Sequence, residues 1–261
     1  MSFPNIIYGD YGDEKVTAAS AIGNLPLGTL MVLPDGRKFR HAQASAVALV
    51  AGDLYQGNTM AVIAGTADAN IIANLAVAAS AAIGAQSVSV TMAGTAAVSK
   101  DLLADGFLLV ATSSGQGHVY KIKGNTAAGS TLATTITLEP TDPLMVALAA
   151  ASTKVGIRAN AFKSVILTTA DTVGAGAIVG VAPVAVAASR YCWIQRSGEA
   201  PVLSDATLIE GIPVTASSAV AGAVMPGIAT TTVHYKQRQI VGFAMAVAAS
   251  ASYSVAYLTL E

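Results

Sequence analysis

Three histidines, one cysteine and two close pairs of carboxylates are the residues of this chain whose types could do chemistry. A hydrolase or transferase needs a nucleophile, a base and an orienting group, or a metal standing in for them. His41, His118 and His234 each sit in a short alternating stretch, which reads as a histidine on a strand surface. None has a carboxylate two or four residues away. Cys192, between Tyr191 and Trp193, reads as a buried inert thiol with no neighbouring cation to lower its pKa. A single cysteine builds neither a Cys-based zinc site nor an intrachain disulfide. Asp13 and Glu14 are adjacent and would project to opposite faces of a strand, while Glu139 and Asp142 flank a proline turn. Neither pair gives much support to glycosidase-type cooperation.

The glycine-rich stretches read as connections. Gly174–Gly180 is one residue off the spacing of a dinucleotide fingerprint and leads into an Ile-Val strand and Pro183 where that fingerprint requires a helix. Ser113–Gly117 and Gly124–Gly129 lack the Lys-Ser/Thr ending of a phosphate loop. The cations cluster as Arg37, Lys38 and Arg40, as Lys121 with Lys123, and as Lys236 with Arg238. Such clusters read first as solvated strand faces and otherwise as exposed tips or an acidic docking surface. No catalytic, cofactor-binding or metal-binding residue is assigned, and the reading is that the chain is not an enzyme.

The elements around these residues are built from an unusual composition. Of 261 residues, 53% are hydrophobic and 11% charged, and the net charge is -1. An ordinary soluble domain is about 25% charged, so much of this surface must be neutral and small. There is no basic footprint for a phosphate backbone, which argues against direct nucleic-acid binding. The two uncharged runs, 69–99 and 172–189, fail as membrane spans: the first carries Asn70, Asn74 and Gln86, and the second is broken by Gly174, Gly176, Gly180 and Pro183. No basic start followed by an apolar run marks a secretory signal, so synthesis in the cytoplasm of the host cell is the expectation.

The apolar period is mostly two. Thr29–Leu33 and Arg37–Ala42 flank Pro34-Asp35-Gly36 and read as a hairpin in which Phe39 points away from Lys38 and Arg40. Ser87–Met92, Ala104–Ala111, Gly117–Lys123 and Thr135–Leu138 read as half-buried antiparallel strands bounded by Gly, Asn or Pro. The segment 67–82 has helical propensity, but its Ala-Val-Ala-Ala-Ser core at 76–80 recurs at 185–189 and 246–250, each time ahead of an alternating strand. The last two copies extend to Ile178–Ser189 and Ile240–Ser250, followed by the strands Tyr191–Gln195 and Tyr253–Leu260. The repeated unit is therefore read as strand, Ala-Ala-Ser turn, strand, with the Gly after Ile-Val allowing a bulge. Gly198–Leu203 and Leu208–Val214 add two short strands.

The expected fold is all-β: a β-barrel or sandwich of short antiparallel strands with an inserted β-meander domain. Residues 1–85 and 164–261 would form the discontinuous barrel or sandwich, and 86–163 the inserted meander.

Leu27–Ala42 resembles the opening strand pair of tailed-bacteriophage capsid decoration, or cement, proteins, where a Gly-Thr, apolar, Asp-Gly, basic-aromatic hairpin recurs. Ile178–Gln195, followed by Gly198-Glu-Ala-Pro-Val202, is similar to that family's Val-Gly-Val-Ala, Ala-rich turn, Tyr-x-Trp, Ser-Gly signature. The resemblance covers both ends of the chain and not 86–163. It implies a non-enzymatic virion protein on the outer capsid surface that locks the major capsid protein lattice, often as a homo-oligomer with a trimer favoured. Two alternatives stay open: a phage tail, fibre or baseplate module whose insertion binds glycan or receptor, and a carbohydrate-active β-domain.

Overall fold

In the computed structural model, the described residues are 6–57, 74–92, 97–129, 131–170, 176–227 and 239–261. They are nearly all β, with two 3-10 turns and no α-helix among them. In chain order the strands are β1 (Ile6–Tyr8), β2 (Leu30–Val32), β3 (Lys38–Gln43), β4 (Leu54–Gln56), β5 (Leu75–Ala76), β6 (Ser87–Thr91), β7 (Phe107–Thr112), β8 (Val119–Asn125) and β9 (Ala133–Leu138). They continue with β10 (Lys154–Arg158), β11 (Ile166–Leu167), β12 (Ile178–Val181), β13 (Tyr191–Ser204), β14 (Pro213–Ala216), β15 (Val224–Pro226), β16 (Ile240–Ala244) and β17 (Ser252–Thr259).

The chain divides into two compact units, Met1–Asn58 with Ala161–Glu261, and Thr59–Asn160. The expected boundary at 85/86 is therefore corrected. Leu75 and Val77 sit in the second unit's core, β5 pairs with β10, and Val77 bridges Val90. The β10 partner lies far along the chain, so the local Ala-rich composition gave no sign of it.

The first unit holds two small closed barrels that share β13, a continuous strand of 14 residues where the sequence suggested two. The first barrel runs β3, β13, β12, β4, β11 and closes through a parallel bridge between Ala44 and Val165. The second runs β13, β17, β16, β14, β15 and closes through the parallel pair Ser204 and Val224. The two are internal copies. Val181 faces Gln195 in one and Phe243 faces Tyr257 in the other, an offset of 62 residues on both strands. Each copy carries a bulge at a glycine, Gly180 or Gly242. A Cβ there would lie 2.1 Å from the Gln195 carbonyl oxygen or 2.0 Å from that of Tyr257, so only glycine fits. The second unit is a six-stranded barrel, β5, β10, β7, β8, β9, β6, closed by the bridge from Val77 to Val90.

One local device recurs in all three barrels. A strand is preceded by a single bridge residue, and three residues after it the backbone turns through positive φ. The bridge residues pair with one another: Leu49 with Val186, Leu208 with Ala248, Ala81 with Leu148, and Val98 with Ala128. In each pair both N–H groups donate to the partner's carbonyl, at 2.8 and 3.0 Å for Leu49 and Val186 and at 2.9 Å both ways for Ala81 and Leu148. The turning residues are Gly52, Ser189, Gly211, Ala251, Gly84, Ala151, Asp101 and Thr131. These four clasps sit where β4, β13, β14, β17, β6, β10, β7 and β9 begin.

The clasps change the meaning of the Ala-Val-Ala-Ala-Ser repeat. Counted from the bulged glycine, Val186 and Ala248 are equivalent, and so are the turning residues Ser189 and Ala251, both at φ 60. The identical pentapeptides are thus one residue out of structural register. In the copy at 76–80, Val77 bridges a neighbouring strand and the clasp residue is Ala81, beyond the Ser. The loop geometry repeats, and the pentapeptide is only a small-residue filling of it.

A positive φ costs a non-glycine residue about 1–2 kcal/mol, while glycine gives back roughly 0.5–1 through the unfolded chain. Ala251→Gly should therefore raise stability in chemical denaturation by a fraction of ~1 kcal/mol, and Ala251→Val, β-branched in the same turn, should lower it by about 1–2 kcal/mol.

Candidate interaction surface

The structure places the chemically interesting residues apart. His41 lies on β3 and is fully buried, which corrects the surface reading. Its Nε2 accepts the Ile22 N–H at 3.3 Å and its Nδ1 donates to the Pro26 carbonyl at 3.2 Å. The ring stacks on Tyr191 at 5.5 Å and lies 5.4 Å from Trp193. Its outward strand face became interior because the segment before β2 folds over it, and alternation alone could not show that. His118 is half-buried, with Nδ1 3.0 Å from the Tyr120 hydroxyl. His234, Lys236, Arg238 and Gly174 lie outside the described residues.

Cys192 points into the first barrel, and burial pushes its thiol up to about 12. Glu14 is buried, and a carboxylate oxygen takes the Gly12 N–H at 2.6 Å. Glu139 and Asp142 close a turn, where Asp142 accepts the Lys121 backbone N–H at 2.7 Å. Among the described residues no group of three His, Cys, Asp or Glu side chains could hold a metal ion, and no helix is long and apolar enough to cross a membrane.

Of the cationic clusters, Arg37, Arg40 and Lys121 are engaged within the chain, Lys123 is exposed as a solvated strand face would be, and Lys236 and Arg238 lie outside the described residues. Arg37 pairs with Asp35 at 2.6 Å and approaches Glu14 at 4.0 Å. Arg40 and Arg196 both hold the Glu261 carboxylate, Arg196 at 2.9 Å. Arg196 also donates to the carbonyls of Val179 and Leu260, at 2.8 and 2.6 Å. Burial raises the Glu261 carboxyl, but the hydrogen bonds and charges of Arg40 and Arg196 outweigh it and hold the group below its ordinary 4.5. Lys121 lies over the Phe107 ring at 4.3 Å and donates to the Asp105 carbonyl.

Large apolar side chains also stand outside. On the second barrel the outward residues of β16, β17 and the loop between them include Phe243, Met245, Val247, Tyr253, Val255 and Tyr257, all exposed. Phe243 faces Tyr257 across the strand pair, and the Met245 N–H donates to the Val255 carbonyl at 2.9 Å. The next strand continues the face, since Tyr257, Val255 and Tyr253 sit opposite Glu199, Pro201 and Leu203. Ala244, Ala256 and Leu258 on the reverse side fill the barrel core. Both faces of this sheet are apolar, so its strands did not read as amphipathic in the expected sense. The sequence signal was present in Tyr253–Leu260, where every second residue is aromatic or aliphatic on what must be the outer side.

Among the described residues two buried polar side-chain atoms lack partners, Gln56 Nε2 on β4 and Thr215 Oγ1 on β14. They stand at the same point of the two copies, seven residues after Leu49 and Leu208, opposite Ile178 and Ile240.

No protein-family model, no curated protein and no solved structure matches the chain.

The thiol follows directly from its burial: at pH 8, Cys192 in the native protein should resist a thiol reagent for as long as the fold persists and should react fully once denaturant is added. The Glu261 carboxyl, depressed when folded, contributes stability above its unfolded value that is lost as pH falls through the folded one. Melting temperature should therefore drop on acidification below about pH 4.5. Glu261→Gln should lower it at neutral pH and flatten its dependence across that acid window.

Proposed function

We propose that this chain is a non-enzymatic structural protein of a bacteriophage virion, which decorates the outer capsid surface by binding the major capsid protein lattice as a homo-oligomer. The observation that carries this reading is the surface. Large apolar side chains stand exposed on both units: Phe243, Val255 and Tyr257 on one, and Phe107, Leu109 and Val119 on the other. Leu109 and Val119 are a directly opposed pair on β7 and β8. Contiguous exposed apolar patches mark surfaces meant to be covered by a partner.

The two segments that resemble decoration proteins support the same reading. They are separated by more than a hundred residues, yet β3 and the first half of β13 pair along their length, with His41 opposite Trp193 and Phe39 opposite Gln195. The resemblance therefore lies on one continuous piece of sheet. The Asp35-Gly36 turn, with Gly36 at φ 84, forms the hairpin between β2 and β3. Small side chains suit the role, because Ala, Ser and Gly lose little rotamer entropy on burial and many weak contacts add up over a repetitive shell.

The purified chain should co-sediment with assembled capsid shells and leave free major capsid subunits in the supernatant. Electron cryomicroscopy of virions that placed the chain only in a tail, fibre or baseplate would overturn the reading.

A further inference from the structure

We infer that the outer face of β16, β17 and the second half of β13 docks a second copy of this chain, head to tail. The inference rests on the reading of the protein as a homo-oligomer and says which surface makes the contact.

The argument comes from the internal duplication. In the first barrel the corresponding outer face is covered by the same chain. Ala18 bridges Tyr191, the Ile22 N–H and the Pro26 carbonyl bind His41, and Met31 and Leu33 pack with Phe39 and Trp193 in one buried cluster. Further along that face, Leu54, Ile178 and Val181 are buried in the same cluster as the core of the second barrel. Two covers thus meet on the first barrel: the segment 18–33 and the second barrel itself.

Among the described residues the same face of the second barrel has no cover. Trp193 corresponds to Val255, Gln195 to Tyr257, Val181 to Phe243, and Ile178 to Ile240. The first member of each pair is buried, whereas Val255 is 38%, Tyr257 45%, Phe243 44% and Ile240 52% exposed. The fold has therefore built one type of surface twice and covered it once.

Charge and area point to what fits there. The cover of the first barrel, residues 18–33, contains no Asp, Glu, Lys or Arg. Among the described residues the open face has a single charged residue, Glu199, among the apolar ones. A neutral surface of this kind pairs with a neutral one, because a charged partner would leave its charges desolvated and unpaired. Roughly half of the surface of seven large side chains is open, on the order of 600 Å² by typical side-chain areas. Pro201, Leu203 and Pro213 bring the face close to the ~800 Å² that each partner contributes to a standard interface. This chain, 11% charged and with a net charge of -1, meets that condition itself, so the occupant is a second copy.

The duplication also sets the symmetry. The first barrel's face is covered by surfaces unlike itself, so the equivalent contact between molecules is heterologous, and heterologous contacts close into rings or run on as filaments.

Light scattering on the eluting full-length chain tests this. The wild type should run as a closed assembly of three or more copies, and the double variant Phe243→Glu, Tyr257→Glu should run as a single chain with an unchanged melting temperature. Should the double variant fail to fold, Val255→Lys alone is expected to give the same loss of assembly. A wild type that is a single chain or a dimer overturns the inference. So does a folded variant that still assembles, although self-association then stands through another surface. A wild type that assembles through this face but ignores capsid shells leaves the inference intact and removes the decoration reading.

Discussion

The structure depends on the clasp, the pair of reciprocal backbone hydrogen bonds by which two loops hold each other just before their strands begin. A chain this rich in alanine has few long side chains with which to fix the path of a loop. Backbone groups do that work instead. The pairs formed by Leu49 with Val186 and by Leu208 with Ala248 each tie an early segment to one far along the chain, so each clasp sets the register of two strands at once. A slip of one residue would turn every side chain of those strands to the other face. The turn through positive φ that follows is what brings the loop back into the sheet, and it is why Gly52 and Gly211 sit where they do. At Ser189, Ala151 and Ala251 the same conformation is held by non-glycine residues, which shows that the clasp is strong enough to impose it.

Barrel closure follows from this. Short strands of three to five residues, such as β4, β12 and β15, would make poor open sheets with exposed edges. Held at their starts, they close into rings that leave no such edge within the barrel. The inserted unit uses the same device, with Ala81 to Leu148 and Val98 to Ala128. It enters between β4 and β11, a position matched in the second barrel by the short loop between β14 and β15, residues 217–223. An insertion there leaves both clasps of the first unit untouched.

Much of the architecture was legible in the sequence because strand alternation is a local property. The hairpin at Asp35-Gly36, the strands β6 to β9 of the inserted unit and the aromatic strands after Ser189 and Ser250 read correctly from period and turn residues, whereas β5 and β10 did not. What was not legible depended on partners distant in sequence. The Leu-x-x-Gly pattern of two clasp loops could have been noticed at 49–52 and 208–211, but Val186-x-x-Ser189 and Ala248-x-x-Ala251 conceal the same geometry under other residues. The repeated pentapeptide drew attention to the right loops and gave the wrong register for them. His41 read as a surface residue because nothing in β3 announces that residues 18–33 will lie over it. The outer face of the second barrel left its signal in Tyr253, Val255 and Tyr257, but an apolar strand position reads as core until the other side of the sheet is seen to be filled.

The scarcity of charge can now be placed physically. Arg40 and Arg196 grip the Glu261 side chain where the end of β17 lies beside β13, and Arg37 is held by Asp35. Lys121 spans from the Asp105 carbonyl to the Phe107 ring. These cations fasten strand ends and turns, and with a net charge of -1 the chain as a whole has little field to steer a partner by long-range attraction. Recognition by such a surface must rest on shape and on removing apolar area from water, which is short-ranged and slow to discriminate in solution. On the proposed capsid reading the partner is a fixed, repeated array, where one correct contact positions the next and multiplicity supplies the affinity that each contact lacks.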